Sequence, residues 1–323
     1  MLSTRLTYFL IFSILCTACS NQAQYQTPIK LTLTSKAKTT SLTQSPKRHP
    51  TFDKGLYLQQ SIFEEPRRFK QLLKRAQQYH INSFIVDLDR MTPRTAQHIK
   101  IMHTHHMRYI ARIVVFPHGG TVEQVNTPHI WQQHWDRIEK VLQAQADAIQ
   151  LDYIRYRSDS QPDAHKTQKI LQIIQWYKEK IKPYQTSLQA ALFGVTAFHP
   201  SMRIGQDLSL FSNTLDVVCP MVYPSHWEPY EHYSYRPYRT VLNAVINIRK
   251  KLPHHPLKVI PYIEMYNYRI KHTSAETKAY ILKQIHAAQD SGSDGWYAWS
   301  ASNYYAPLFE ALENDSRQSL QSE

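Results

Sequence analysis

From Gly55 onward, short runs of β-branched and aromatic residues alternate with amphipathic helical stretches eight times, and few architectures can absorb that alternation. The strand-like runs are 55–60, 83–89, 107–116, 148–156, 187–198, 217–224, 258–266 and 295–300. Between them, apolar residues recur at helical spacing, as in Phe69, Leu72, Leu73, Ala76 and Tyr79, or Ile170, Leu171, Ile174, Tyr177 and Ile181. Thr92-Pro93, Thr127-Pro128 and Ser274 supply helix starts. Eight strands alternating with helices every ~25–40 residues is the count of a (β/α)8 TIM barrel. A doubly wound sheet seldom needs eight parallel strands and would bring a Gly-rich phosphate loop, which this chain with its seven glycines lacks.

The barrel is expected over 53–313 as a single domain, with a polar tail at 314–323. What precedes it reads as an address. Arg5 and the apolar run Leu6 to Leu15, too short to span a bilayer as a helix, form a leader over 1–18. Leu15-Cys16-Thr17-Ala18-Cys19-Ser20 resembles a bacterial lipobox, which implies lipidation of Cys19. Ser20 then points to the outer membrane of a Gram-negative cell, by resemblance to the sorting rule. Ordinary secretion and an uncleaved anchor are the alternatives. Residues 19–52, rich in Gln, Thr, Ser and Lys, read as a flexible tether reaching roughly 30 Å.

A formal charge of +13 favours acidic partners: nucleic acid, anionic lipid or an acidic polysaccharide. No nucleic-acid motif accompanies it, and the leader removes the protein from nucleic acid. The partners expected are therefore the membrane, through the N-terminal lipid, and a polysaccharide or oligosaccharide. Beyond the leader and the lipidation site only Cys219 remains, in an apolar run that makes it a small core residue rather than a nucleophile. His103, His105 and His106 cluster at the end of an expected outer helix and read as a solvated helix end, so no metal and no cofactor is expected.

In a barrel, function sits at the C-terminal strand ends. The fourth strand, Ala148-Ile-Gln-Leu-Asp152-Tyr-Ile-Arg-Tyr156, carries the strongest candidate. If Asp152 faces inward, period two puts Gln150 beside it and Ile149, Leu151 and Tyr153 outside. A solvated strand-end Asp is the bland alternative. Other strand ends offer Gln59, Asp87 and Asp89, Arg112, the group Tyr223, Ser225, His226 and Glu228, Glu264, and Trp299 with Asn303 close behind. Carboxylates, aromatic faces and amides together suit a sugar ring: rings stack on its C–H faces, amides and Arg bind hydroxyls, and paired carboxylates carry the chemistry. The expected catalytic set is Asp152 with Glu264 or Asp87. The expected substrate contacts are Arg155, Tyr223, His226, Trp299, Asn303, Arg112 and Asp89. Glu264 reads equally as a partner of Arg112, and either aspartate of strand two as a partner of Arg90 or Arg112. Arg155 is placed to pair with Asp152.

The stretches Lys54-Gly-Leu-Tyr57, Ile110-Ala-Arg-Ile-Val-Val-Phe116, Ile149-Gln-Leu-Asp-Tyr-Ile-Arg-Tyr156, Ile204-Gly-Gln-Asp207, Leu215-Asp-Val-Val-Cys-Pro-Met-Val-Tyr-Pro-Ser-His226 and Gly292-Ser-Asp-Gly-Trp-Tyr-Ala-Trp-Ser-Ala-Ser-Asn303 resemble a bacterial family of glycosyl hydrolase domains related to the amylase-type barrels. The resemblance runs from Lys54 to Asn303, in order. It implies a (β/α)8 barrel with a carbohydrate-active role, the family's strand-four Asp falling on Asp152 with Arg155 beside it. Three departures stand out. The segment after strand three is short, which opens one wall of the cleft. Strand two reads Asp87-Leu-Asp89-Arg90 where the family tends to Asp-x-Lys-Asp. Strand seven reads Pro261-Tyr-Ile-Glu264 where Pro-Trp-Leu-Gln is usual, so a carboxylate stands in an amide's place. The function expected is a glycoside hydrolase acting on an envelope or extracellular polysaccharide. The alternative is a non-catalytic glycan-binding barrel.

Overall fold

The computed structural model describes residues 52–321. The leader, Cys19 and all of the tether but its last residue lie outside the described residues. The strands are β1 (Asp53–Leu58), β2 (Ser83–Asp87), β3 (Arg108–Val114), β4 (Ala148–Asp152), β5 (Ser187–Phe193), β6 (Val217–Met221), β7 (Lys258–Val259), β8 (Tyr262–Glu264) and β9 (Gly295–Trp299). All pair in parallel, and β5 also pairs with β6, so the sheet closes on itself. β7 and β8 are one barrel strand interrupted at Ile260-Pro261. Both pair with β6, and Pro261 has no N–H to give the ladder. The result is the eight-stranded (β/α)8 barrel that the alternation predicts.

Every strand stops short of its expected end, by one to five residues, because the chain leaves the ladder at the mouth. There the side chains still look strand-like although the backbone turns. Period two divides the apolar residues into two cores. Ile149, Leu151, Phe84, Val86 and Trp296 face out against the helices, each fully buried, which contributes about 1.5–3 kcal/mol for each aliphatic side chain. Tyr57, Ile85, Ile110, Ala148, Val217 and Tyr297 fill the barrel. Among them lies a polar cluster: Gln150 Nε2 donates to Gln189 Oε1 at 3.1 Å, and the Tyr262 hydroxyl donates to Gln150 Oε1 at 2.7 Å. Cys219 is buried against Gln150, and burial pushes its thiol pKa well up, as a core residue requires. Gly295 has φ +152°, and a Cβ there would stand 1.9 Å from the Asp53 carbonyl oxygen, so β9 meets β1 closely only as glycine.

The helix starts differ in detail from the sequence reading. Thr92 caps the helix Pro93–Thr104 as expected, its hydroxyl accepting from the Thr95 N–H. Thr127 makes no side-chain cap, and the helix expected after it is two, Pro128–Gln132 and Trp135–Gln143. Thr273, not Ser274, caps Ser274–Asp290, because Thr273 and Glu276 close a reciprocal capping box. The last helix, Ala306–Gln321, runs through most of the segment expected as a polar tail, which contains no Gly or Pro to stop it. Among the described residues no helix is long and apolar enough to cross a membrane.

Two histidines, one buried and one half-buried, make the fold sensitive to acid. His98 is bonded through Nδ1 to the Phe63 carbonyl at 2.8 Å and stacked on Phe69, and His134 Nε2 meets the Val115 carbonyl at 3.0 Å. Burial lowers both imidazole pKa values. The folded chain therefore keeps both rings neutral while the unfolded chain binds protons at about pH 6.5. Their contribution is full above that pH and is lost as the pH falls through it toward the depressed folded values. Tm measured from pH 7.5 to 5.0 should fall, with a shallower slope in His98→Asn. An unchanged slope in that variant would contradict the assignment.

Candidate active site

A cleft of about 850 Å3 opens at the C-terminal strand ends. Its floor is Asp152 at the end of β4, Arg112 on β3 and Tyr262 on β8. Its walls come from the loops after β4, β5 and β6 and from Trp299 at the end of β9. Among the described residues, none before Arg112 and none between Arg112 and Asp152 contributes to the lining.

Asp152 faces inward above Gln150, as its parity requires. The chain turns immediately after it. Tyr153 has φ +50°, a left-handed conformation rare for a non-glycine residue, and its N–H donates to Asp152 Oδ1. This turn corrects the expectation that Tyr153 faces the helices, since it carries the Tyr153 ring into the lining of the cleft.

Arg112, not Arg155, is the partner of Asp152. Its Nε and Nη2 donate to Asp152 Oδ2 at 2.9 and 2.7 Å, while Nη1 donates to Asp87 Oδ1. One guanidinium therefore clamps carboxylates from both neighbouring strands. Burial alone would lower the Arg112 pKa, but Asp152 and Asp87 hold it well above the ordinary value. The Tyr57 hydroxyl donates to Asp87 Oδ2 at 2.6 Å, and burial together with Asp87 pushes the Tyr57 pKa up. Asp87 is thus covered by Tyr57 and Arg112 and lies outside the lining. Arg155 lies in the lining, its Nη1 donating to the Tyr156 carbonyl at 2.9 Å and its guanidinium packed on the Tyr153 and Phe193 rings. Among the described residues its Nε and Nη2 have no acceptor, which leaves a cation facing the cleft.

Glu264 is neither in the cleft nor a partner of Arg112. It is fully buried and accepts from the Ser225 N–H and hydroxyl, both at 2.8 Å, from His226 Nδ1 at 3.1 Å and from the Tyr280 hydroxyl. Burial and the Glu264 charge push the Tyr280 pKa far up, so that phenol stays a donor. The Glu264 carboxylate is consumed in holding the loop after β6. His226, on that loop, lies in the lining and is exposed toward it.

Tyr223 and Trp299 stack, with centroids 5.1 Å apart and planes at 24°, and together form one aromatic platform. A second platform was not read from the sequence. Trp227 packs against Phe198 at 5.8 Å and Tyr233 at 5.4 Å, seated on Gly194, where a Cβ would stand 2.2 Å from the indole. Glu228 is a further lining carboxylate, bonded by the Tyr230 hydroxyl at 2.7 Å. Its place just after the sixth strand marks it in the sequence, whereas the second platform has only the run Trp227-Glu-Pro-Tyr230 as a signal.

Two expected contacts lie elsewhere. Asp89 is exposed beyond the end of β2 and outside the lining, because the chain has left the sheet after Asp87. Asn303 ties the loop after β9 to β1, its Oδ1 accepting from the Gln59 N–H at 2.8 Å and its Nδ2 donating to the Ser300 carbonyl at 3.0 Å. Of the histidine cluster, His103 bonds Asp147 at 2.9 Å rather than being simply solvated. Among the described residues, no three His, Cys, Asp or Glu side chains converge where they could hold a metal ion.

The family model described as "Putative glycosyl hydrolase domain" matches residues 123–305, more than half of the chain, from the approach to β4 through the end of β9. No curated protein matches. Among solved structures, the spore cortex-lytic enzyme SleL of Bacillus cereus aligns with TM-score 0.57 at 11% identity, covering 82% of this chain and 75% of its own. The endo-β-1,4-mannanase of Thermotoga petrophila aligns with TM-score 0.59 at 14% identity, covering 84% and 77%. A chitinase of Chromobacterium violaceum aligns with TM-score 0.56 at 10% identity, covering 81% and 98%. At such identities these likenesses establish a shared barrel fold.

Proposed function

Since the chain belongs to this glycosyl hydrolase domain family, we propose that it hydrolyses glycosidic bonds of an envelope or extracellular polysaccharide, with Asp152 at the bond that is cut. The observation that carries this reading is the placement of Asp152: an inward carboxylate oriented by Arg112 and the Tyr153 N–H, at the floor of an open cleft with aromatic platforms. Rings of that kind stack on the C–H faces of pyranoses, and an ion-paired carboxylate is suited to attack or stabilise the electron-poor anomeric carbon. The solved neighbours are named for lysing spore cortex and for acting on chitin and mannan, which favours a sugar polymer as substrate. The cation of Arg155 and the +13 charge favour an acidic one. Lipidation at Cys19 would hold the barrel at the envelope; a Cys19→Ser variant that fractionates with the membrane just as the wild type does would contradict that anchor.

The test is release of reducing ends from peptidoglycan, chitin, mannan and exopolysaccharide by the purified protein, with binding to each fraction measured alongside. New ends from at least one fraction are expected. Binding without any release would favour the alternative, a glycan-binding barrel. The covering of Glu264 and Asp87 is the observation that gives that alternative weight.

A further inference from the structure

Glycoside hydrolysis needs a group that delivers a proton to the departing oxygen, and neither carboxylate expected for that task reaches the cleft. We propose that His226 is this proton carrier and that Glu264 is its positioning residue; the inference rests on the hydrolase reading above. Glu264 accepts from His226 Nδ1 at 3.1 Å, and its other bonds, from Ser225 and Tyr280, fix it in place. A carboxylate so placed keeps the proton on Nδ1 and leaves Nε2, on the opposite edge of the ring, as the working nitrogen. Among the described residues Nε2 has no partner. The ring lines the cleft and is held by Tyr268 at 4.7 Å, Tyr223 at 5.5 Å and Trp299 at 6.4 Å, the same platform that would seat the sugar.

The step balances without a further reactant. The Nε2 proton passes to the glycosidic oxygen as its bond to the anomeric carbon breaks, so the leaving sugar departs as an alcohol. Water then forms the new bond to that carbon and returns one proton to Nε2. The charged and titratable groups facing His226 are Glu264 from β8, Tyr268 and Arg269 from the loop beyond it, Tyr223 from the end of β6, and Glu228 on its own loop, with Asp152 and Arg112 on the cleft floor. Burial first, and the Tyr266 hydroxyl second, push the Tyr268 pKa up, so it stays a neutral phenol in the pH range of the test.

The experiment uses the full chain, the polysaccharide that the wild type cleaves, and the dinitrophenyl glycoside of the same sugar, whose leaving group needs no proton. His226→Asn keeps an N–H for Glu264 but has no Nε2. It should lose about 10²–10⁴-fold in kcat on the polysaccharide and less than about tenfold on the aryl glycoside. Glu264→Gln retains the imidazole but not its carboxylate, and should lower kcat on the polysaccharide while leaving KM and cleavage of the aryl glycoside little changed. Equal losses of His226→Asn on both substrates, or the leaving-group signature appearing in Glu228→Gln instead, would overturn the proposal while leaving the hydrolase reading intact. A wild type that cleaves no polysaccharide would defeat the hydrolase reading itself, and this inference with it.

Discussion

Asp152→Asn should lower reducing-end release by about 10³-fold or more, the scale on which one acid–base or electrostatic group in a site is felt. Glycan binding should change little. Asn is isosteric and its single oxygen can still accept from Arg112, which Asp87 also holds, so the cleft keeps its shape although the bond from the Tyr153 N–H is given up. The charge and one acceptor oxygen are lost. The two readouts, ends released and glycan bound, should therefore separate. Parallel loss of both would mean that Asp152 holds the cleft together rather than acting in it.

Arg112→Met should be the most destabilising change at the site. Asp87 and Asp152 lie on either side of this guanidinium, with side-chain exposures of only 20% and 8%. Removing the cation leaves two largely buried carboxylates facing each other. Stripping one partner from a buried ion pair costs about 3–5 kcal/mol, and at roughly 2–4 °C per kcal/mol for a domain of this class the fall in Tm is about 6–20 °C. Met fills much of the volume of the Arg stem, so the loss is electrostatic more than a cavity. Adding Asp87→Asn to Arg112→Met should recover part of the stability, because one of the uncompensated charges is then gone. Strict additivity of the two substitutions in thermal or urea unfolding would argue against the clamp.

The barrel was legible because each strand is apolar on the face it turns to the helices and each helix carries one apolar stripe, a pattern that one dimension records. The inward placement of Asp152 was legible for the same reason, from its parity with Gln150. Parity also held the Arg112 clamp, since Asp87 pairs with Arg112 across β2 and β3, and Arg112 with Gln150 across β3 and β4. Choosing Arg155 instead followed sequence proximity, which the turn at Tyr153 defeats. Parity says nothing once a strand ends, which is why Asp89 and Tyr153 defy a reading that continues the ladder, while Asn303 has only its nearness to the eighth strand to place it. Glu264 was misjudged for a different reason. Its donors come from Ser225, His226 and Tyr280, one loop and one helix that meet it only in the closed barrel. The aromatic wall of Phe198, Trp227 and Tyr233 is likewise assembled from two loops and a short helix, with no shared period to mark it.

The central claim is that the cleft receives a sugar with its scissile bond over Asp152. A crystal structure of the Asp152→Asn protein soaked with oligosaccharides from whichever fraction it binds measures this directly. The account predicts a pyranose ring stacked on Trp299 or Tyr223, with its anomeric carbon at near-attack distance, about 3–3.5 Å, from the side-chain oxygen of residue 152. A glycan seated elsewhere on the barrel, with Arg112 and residue 152 still covered only by solvent, would contradict it.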